Sequence, residues 1–153
     1  MHNFFSAPLR AAAMAGFACA MVLGLPSIAS AGDETQAETL LRTKVWDAYP
    51  QGWGLRTMSS TTLGGGATRS YLVTLYAGNS YRLLGVGDES VKNLDVYLYD
   101  LDGKVVASDG TDSREPVIEF KPQSTATYYI VLHARTLVDG KADAGVAMAV
   151  TYK

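Results

Sequence analysis

The chain has 153 residues, 48% of them hydrophobic and 18% charged, with a formal net charge of −2 and one cysteine. A weakly acidic balance argues against nucleic acid or an anionic membrane surface as the main partner, and a lone thiol excludes a disulfide framework. The length suits one domain with a hydrophobic core of its own.

Residues 1–31 have the three-part layout of a secretory signal. Arg10 supplies the positive charge, Ala11 to Leu25 is almost wholly apolar, and Ala29-Ser30-Ala31 is an A-x-A cleavage site. That apolar run is about fifteen residues, short of the roughly 20 that span a bilayer, so cleavage is expected rather than anchoring. Cys19 follows Gly16-Phe17-Ala18 with the apolar run continuing past it, a poor setting for lipidation. The expected mature chain starts at Gly32, has no cysteine and no membrane span, and resides in the periplasm or medium of a bacterium. Losing Arg10 takes its charge to −3.

Residues 32–54 are expected to form a helical or linker segment. Asp33 with Gln36 three residues on suits an N-cap, and Leu41, Val45 and Tyr49 recur every four residues. Pro50, Gly52 and Gly54 stop the pattern. Trp46 and Trp53 are expected to pack against the body of the protein, because large rings bury much area and no other aromatics cluster around them.

From Leu55 onward the period shortens to two, and residues 55–153 read as an all-β domain. About eight strands are expected: Leu55 to Leu63, Arg69 to Tyr76, Ser80 to Val86, Leu94 to Tyr99, Val105 to Ser108, Val117 to Phe120, Thr127 to Ala134 and Gly145 to Tyr152. Ala77-Gly78-Asn79 and Asp102-Gly103 are strong turn signals. Strands so short and evenly spaced imply an antiparallel, jelly-roll-like β-sandwich. Gly64-Gly65-Gly66 is not a phosphate loop, since no Lys-Ser/Thr pair and no helix follow it; it reads as a flexible connection.

Alternation divides two strands into faces. Leu94, Val96 and Leu98 point inward while Asp95, Tyr97 and Tyr99 lie at or near the surface; Tyr128, Ile130, Leu132 and Ala134 point inward while Tyr129 and His133 face the other way. Tyr97, Tyr99 and Tyr129 are therefore the candidate ligand-contacting residues. The competing reading is that such rings only stabilise the sheet, by about 0.2–1 kcal/mol per cross-strand pair.

Chemistry is sparse. After signal removal the only imidazole is His133, there is no thiol, and no Gly-x-Ser-x-Gly elbow is present, so no catalytic constellation is visible and a zinc site is disfavoured. Asp88 to Glu119 holds nine acids against three bases, a local balance of −6. Calcium, which takes six to eight oxygens, is the one cofactor this stretch suggests, with Asp88, Asp95, Asp100, Asp102 and Asp109 as candidate ligands. Asp100-Leu101-Asp102-Gly103 begins like an EF-hand loop but lacks the glutamate at its twelfth position. Most of these acids fall in turns, where Asp is also favoured for backbone hydrogen bonding alone.

The motifs Tyr71-Leu-Val-Thr-Leu-Tyr-Ala-Gly78, Leu94-Asp-Val-Tyr-Leu-Tyr-Asp100, Asp102-Gly103-Lys104-Val-Val-Ala-Ser108 and Thr127-Tyr-Tyr-Ile-Val131 resemble the bacterial pre-peptidase C-terminal domain. That resemblance implies a β-sandwich accessory module, non-catalytic, which assists the secretion, localisation or substrate contact of an enzyme; some relatives bind calcium. No protease is attached here, so the expected partner is a separate protein or polysaccharide surface. The rival readings are a small secreted hydrolase using His133 or an acid pair, and an envelope structural or stress protein without a small ligand.

Overall fold

The computed structural model describes residues 31–153. The expected signal peptide lies outside the described residues but for Ala31, and among those described no helix is long and apolar enough to cross a membrane. The elements in order are α1 (Ala31–Ala48), a 3-10 turn (Tyr49–Gln51), β1 (Gly54–Gly64), β2 (Thr68–Leu75), β3 (Tyr81–Gly87), β4 (Val91–Tyr99), β5 (Val105–Asp109), β6 (Val117–Phe120), β7 (Ala126–Leu137) and β8 (Asp143–Tyr152).

Two four-stranded sheets result, ordered β1-β8-β3-β6 (sheet A) and β2-β7-β4-β5 (sheet B), with every pairing antiparallel. The first strand pairs with the last, the second with the seventh, the third with the sixth and the fourth with the fifth. This is a long antiparallel ribbon rolled on itself, a jelly roll, as the strand spacing implied. Among the described strands only β4 and β5 form a consecutive hairpin. Asp100 Oδ1 accepts from the amides of Asp102 and Lys104 there, and Gly103 takes φ 79, a left-handed conformation that costs glycine nothing. Gly64–Gly66 and Ala77–Asn79 instead carry the chain from one sheet to the other. The triple glycine is no loose loop: Gly66 N donates to Ala134 O at 2.7 Å and Ala67 N to Gly64 O at 3.0 Å.

The inward residues of both sheets make the main core, with Leu75, Tyr81, Leu83, Leu94, Leu98, Ile130, Leu132 and Met148 almost fully buried. β3 and β8 are buried on both faces, because α1 lies across the outside of sheet A. Ala37, Leu41 and Val45 of α1 pack on Leu84 and Val86 of β3 and on Ala147 and Ala149 of β8, whose short side chains let the helix come close. The segment before the sandwich is therefore docked on it.

Three expectations about that segment are corrected. Asp33 lies inside the helix rather than at its cap, since α1 already runs from Ala31. Tyr49 does not continue the buried stripe: the chain tightens to a 3-10 turn at Pro50, the angular phase changes, and Tyr49 is 62% exposed. Trp46 is 67% exposed. Of the two tryptophans, Trp53 is buried as expected, with the Arg82 guanidinium 4.2 Å and the Lys153 ammonium 5.0 Å from its ring centroid.

Candidate functional site

Among the described residues no element covers the outer face of sheet B, and its register sets side chains in rows across the strands. Leu72 (β2), Tyr129 (β7) and Tyr99 (β4) form one row; Ser70, Val131, Tyr97 and Ser108 form the next; Thr68, His133 and Asp95 form the third. Leu72 and Tyr129 are 63% and 42% exposed, Tyr97 and Tyr99 are half-buried, and the last two rings lie 6.1 Å apart. The three expected tyrosines thus share one surface. Leu72, the most exposed member, was not singled out in the sequence because Tyr71 and Val73 beside it carry the inward pattern; only its place opposite Tyr129 marks it.

Asp95 differs from expectation. It is on the outer face as its parity requires, yet it is buried, because longer neighbours close over it. His133 Nδ1 lies 3.4 Å from Oδ2, Arg135 Nε lies 3.5 Å from Oδ1, and the Tyr97 hydroxyl donates to Oδ2 at 3.3 Å. A buried carboxylate needs such cationic and hydrogen-bonding company. Arg135 is held in turn by Asp112 at 2.7 Å. Burial, and then the adjacent Asp95 charge, push the Tyr97 hydroxyl above its ordinary range. Among the described residues the Asp95–His133 contact is the one fragment of a hydrolytic triad. Its third member is missing among the described residues: Thr68 sits opposite His133 in the ladder, but no hydrogen bond joins them.

The five acids considered for calcium are dispersed, and no three carboxylate or imidazole groups among the described residues converge to hold a metal ion. Asp88 accepts from the amides of Ser90 and Gly145, tying the β3–β4 turn to the start of β8. Asp100 caps the β4–β5 turn, and Asp102 is exposed beyond it. Asp109 accepts from Thr111 N, Thr111 Oγ1 and Val117 N at 3.1, 2.8 and 2.8 Å, joining the end of β5 to the first residue of β6. The donor set does not fit a calcium cage: Asp88, Asp100 and Asp109 already accept backbone hydrogen bonds, Asp95 faces Arg135 and His133, and Asp102 alone is exposed with its carboxylate unengaged.

A second surface lies where α1 runs beside β1. Arg42, Val45, Trp46, Tyr49, Leu55 and Met58 line a mostly apolar groove of ≈ 270 Å³, with the Trp46 and Tyr49 rings edge-to-face at 6.0 Å. Leu55 and Met58 are three residues apart and would point to opposite faces of a regular strand; the bulge between Leu55 and Thr57 brings both into the groove. That bulge hid the site in the sequence. The legible signal was Trp46 itself, one residue past the buried Val45 and so turned off the core-facing stripe.

No family model matches the chain, and no curated protein is similar to it. Similar solved structures include the pre-peptidase C-terminal domain of a collagenase from Bacillus anthracis, at 16% identity over 63% of this chain and 90% of that one, with a TM-score of 0.49. The domain type is the one the strand and turn motifs resemble. Another is PliG of Aeromonas hydrophila, a periplasmic inhibitor of g-type lysozyme, at 13% identity over 63% of this chain and 85% of that one, with a TM-score of 0.46.

Proposed function

We propose that this protein is an exported, non-catalytic binding module that contacts a protein surface through the open face of sheet B. The observation that carries the reading is the asymmetry of the sandwich: α1 covers the outside of sheet A, while the outside of sheet B exposes the Leu72–Tyr129–Tyr99 row. Tyrosine offers a rigid contact of large area at low entropic cost, and exposed apolar rows rimmed by polar residues are what interfaces bury. Leu72 has no hydrogen-bonding group, which suits a protein surface better than the hydroxyls of a polysaccharide.

The test compares the wild-type protein with Tyr129→Ala and Leu72→Ser in capture of periplasmic and medium proteins, with a g-type lysozyme and a soluble cell-wall polysaccharide as defined probes. The expected result is loss of protein capture in both variants with stability changed by no more than about 0.5 kcal/mol, as for other surface substitutions. Capture of the polysaccharide alone would move the reading to sugar stacking. Undiminished capture would remove this face from it.

A further inference from the structure

The groove beside α1 adjoins another feature, the free edge of sheet A. Among the described residues β1 is hydrogen-bonded to β8 on one side only, and it is eleven residues long. Natural edge strands are blunted by Lys, Pro, inward charges or covering segments. From Thr57 to Leu63 this edge has no charge and no proline, and its one bulge lies at the Arg56 end. Its backbone donors and acceptors are thus set out for another strand.

Alongside that edge, α1 supplies a wall with two chemically different ends. At one end is the groove, with Trp46 and Tyr49 exposed and Leu55 45% exposed. At the other, the Ser60 hydroxyl lies 3.1 Å from Glu34 Oε1 and 3.2 Å from Glu38 Oε2. Arg42 offsets Glu38 at 2.6 Å and leaves one net negative charge there. Met58 and Ser60 are two positions apart on the helix-facing side of β1, so along an added strand the two ends are separated by about two to four residues at roughly 3.3 Å each.

We infer that the β1 edge binds an extended segment of a partner protein by strand addition, placing a bulky apolar side chain in the Trp46–Tyr49–Leu55–Met58 groove and a Lys or Arg against Glu34 and Glu38. In an antiparallel strand, as in the rest of the sheet, the basic residue precedes the apolar one. Main-chain pairing supplies affinity and the two ends supply the choice of sequence. A second copy of this chain fits less well: the only charge on β1, Arg56, already lies over the Tyr76 ring, 5.0 Å from its centroid, so it brings no free base to the acidic end.

The test pans a library of short displayed peptides on the purified protein, then measures binding of the selected peptides as synthetic compounds. The expected peptides carry a basic residue shortly before a bulky apolar one. Their affinity falls about tenfold or more, 1.4 kcal/mol per decade, with Trp46→Ala, and weakens with added salt only while Glu34 and Glu38 are present. N-methylation of alternate peptide amides, which leaves the protein untouched, abolishes binding, whereas Tyr129→Ala on the opposite sheet does not change it. Binding that survives N-methylation, selection of no common pattern, or a concentration-dependent dimer lost with Trp46→Ala would each overturn the inference; the last would give the edge to a second copy.

Discussion

At the scale of single residues, the aspartates teach the clearest lesson. Asp88, Asp100 and Asp109 were conspicuous in the sequence, and each turns out to hold backbone amides at a turn. Sequence spacing shows that an Asp lies in a turn but not where its oxygens point, and this decides between a metal ligand and a backbone acceptor. Asp109 gives a testable case. Burial by itself would raise its carboxyl, but the hydrogen bonds from Val117 and Thr111 outweigh burial and hold it below the ordinary 3.8. A carboxyl depressed on folding adds stability that is fully present above its unfolded value, about 3.9, and is lost as pH falls through the folded one. Asp109→Asn, which must turn an amide donor toward a backbone donor, is expected to cost about 1–3 kcal/mol at neutral pH. In denaturant titrations the gap to wild type should narrow as pH drops below about 4; a gap that stays constant through pH 3 would refute this account.

At the scale of elements, the strands were the most legible part. Their bounds are those expected to within a few residues, because alternation such as Leu94, Val96, Leu98 against Asp95, Tyr97, Tyr99 is set by the pleat itself. The helix was legible through Leu41 and Val45, but its destination was not, since a stripe of apolar residues does not say what it faces. The near-continuous run Ala144 to Val150 in β8 held that answer: a strand apolar at every position is buried on both sides. Leu41 is fully buried between α1 and sheet A. Leu41→Ala should therefore cost about 2–5 kcal/mol, as core truncations do, within a single cooperative transition. A loss under about 1 kcal/mol, or a separate early melting step of the helix signal, would mean that α1 is an appendage.

For the molecule as a whole, the sandwich could be expected from strand count and spacing, whereas the assignment of strands to sheets could not. Turn signals such as Ala77-Gly78-Asn79 look alike whether the chain doubles back within a sheet or crosses to the other one. The candidate surfaces divide in the same way: Tyr97, Tyr99 and Tyr129 share a strand parity that the sequence displays, but the groove needs a helix, a bulge and an edge strand brought together by the fold. The dispersed acids set a global prediction. The melting temperature should be equal in EDTA and in millimolar calcium, where a site filled to about 100 times its dissociation constant would add about 2.7 kcal/mol. A clear rise with calcium, absent with magnesium, would reveal ligands that this conformation does not assemble.

The position of β8 carries a consequence for how the protein comes into being. The last strand lies between the first and the third, and it also floors the helix. Sheet A therefore has no centre until β8 is in place, and a chain that stops short of Asp143 cannot close the roll. Contacts between strands so distant in sequence form slowly. A chain cut before Asp143 would leave β1, β3 and the apolar stripe of α1 without the strand that joins them.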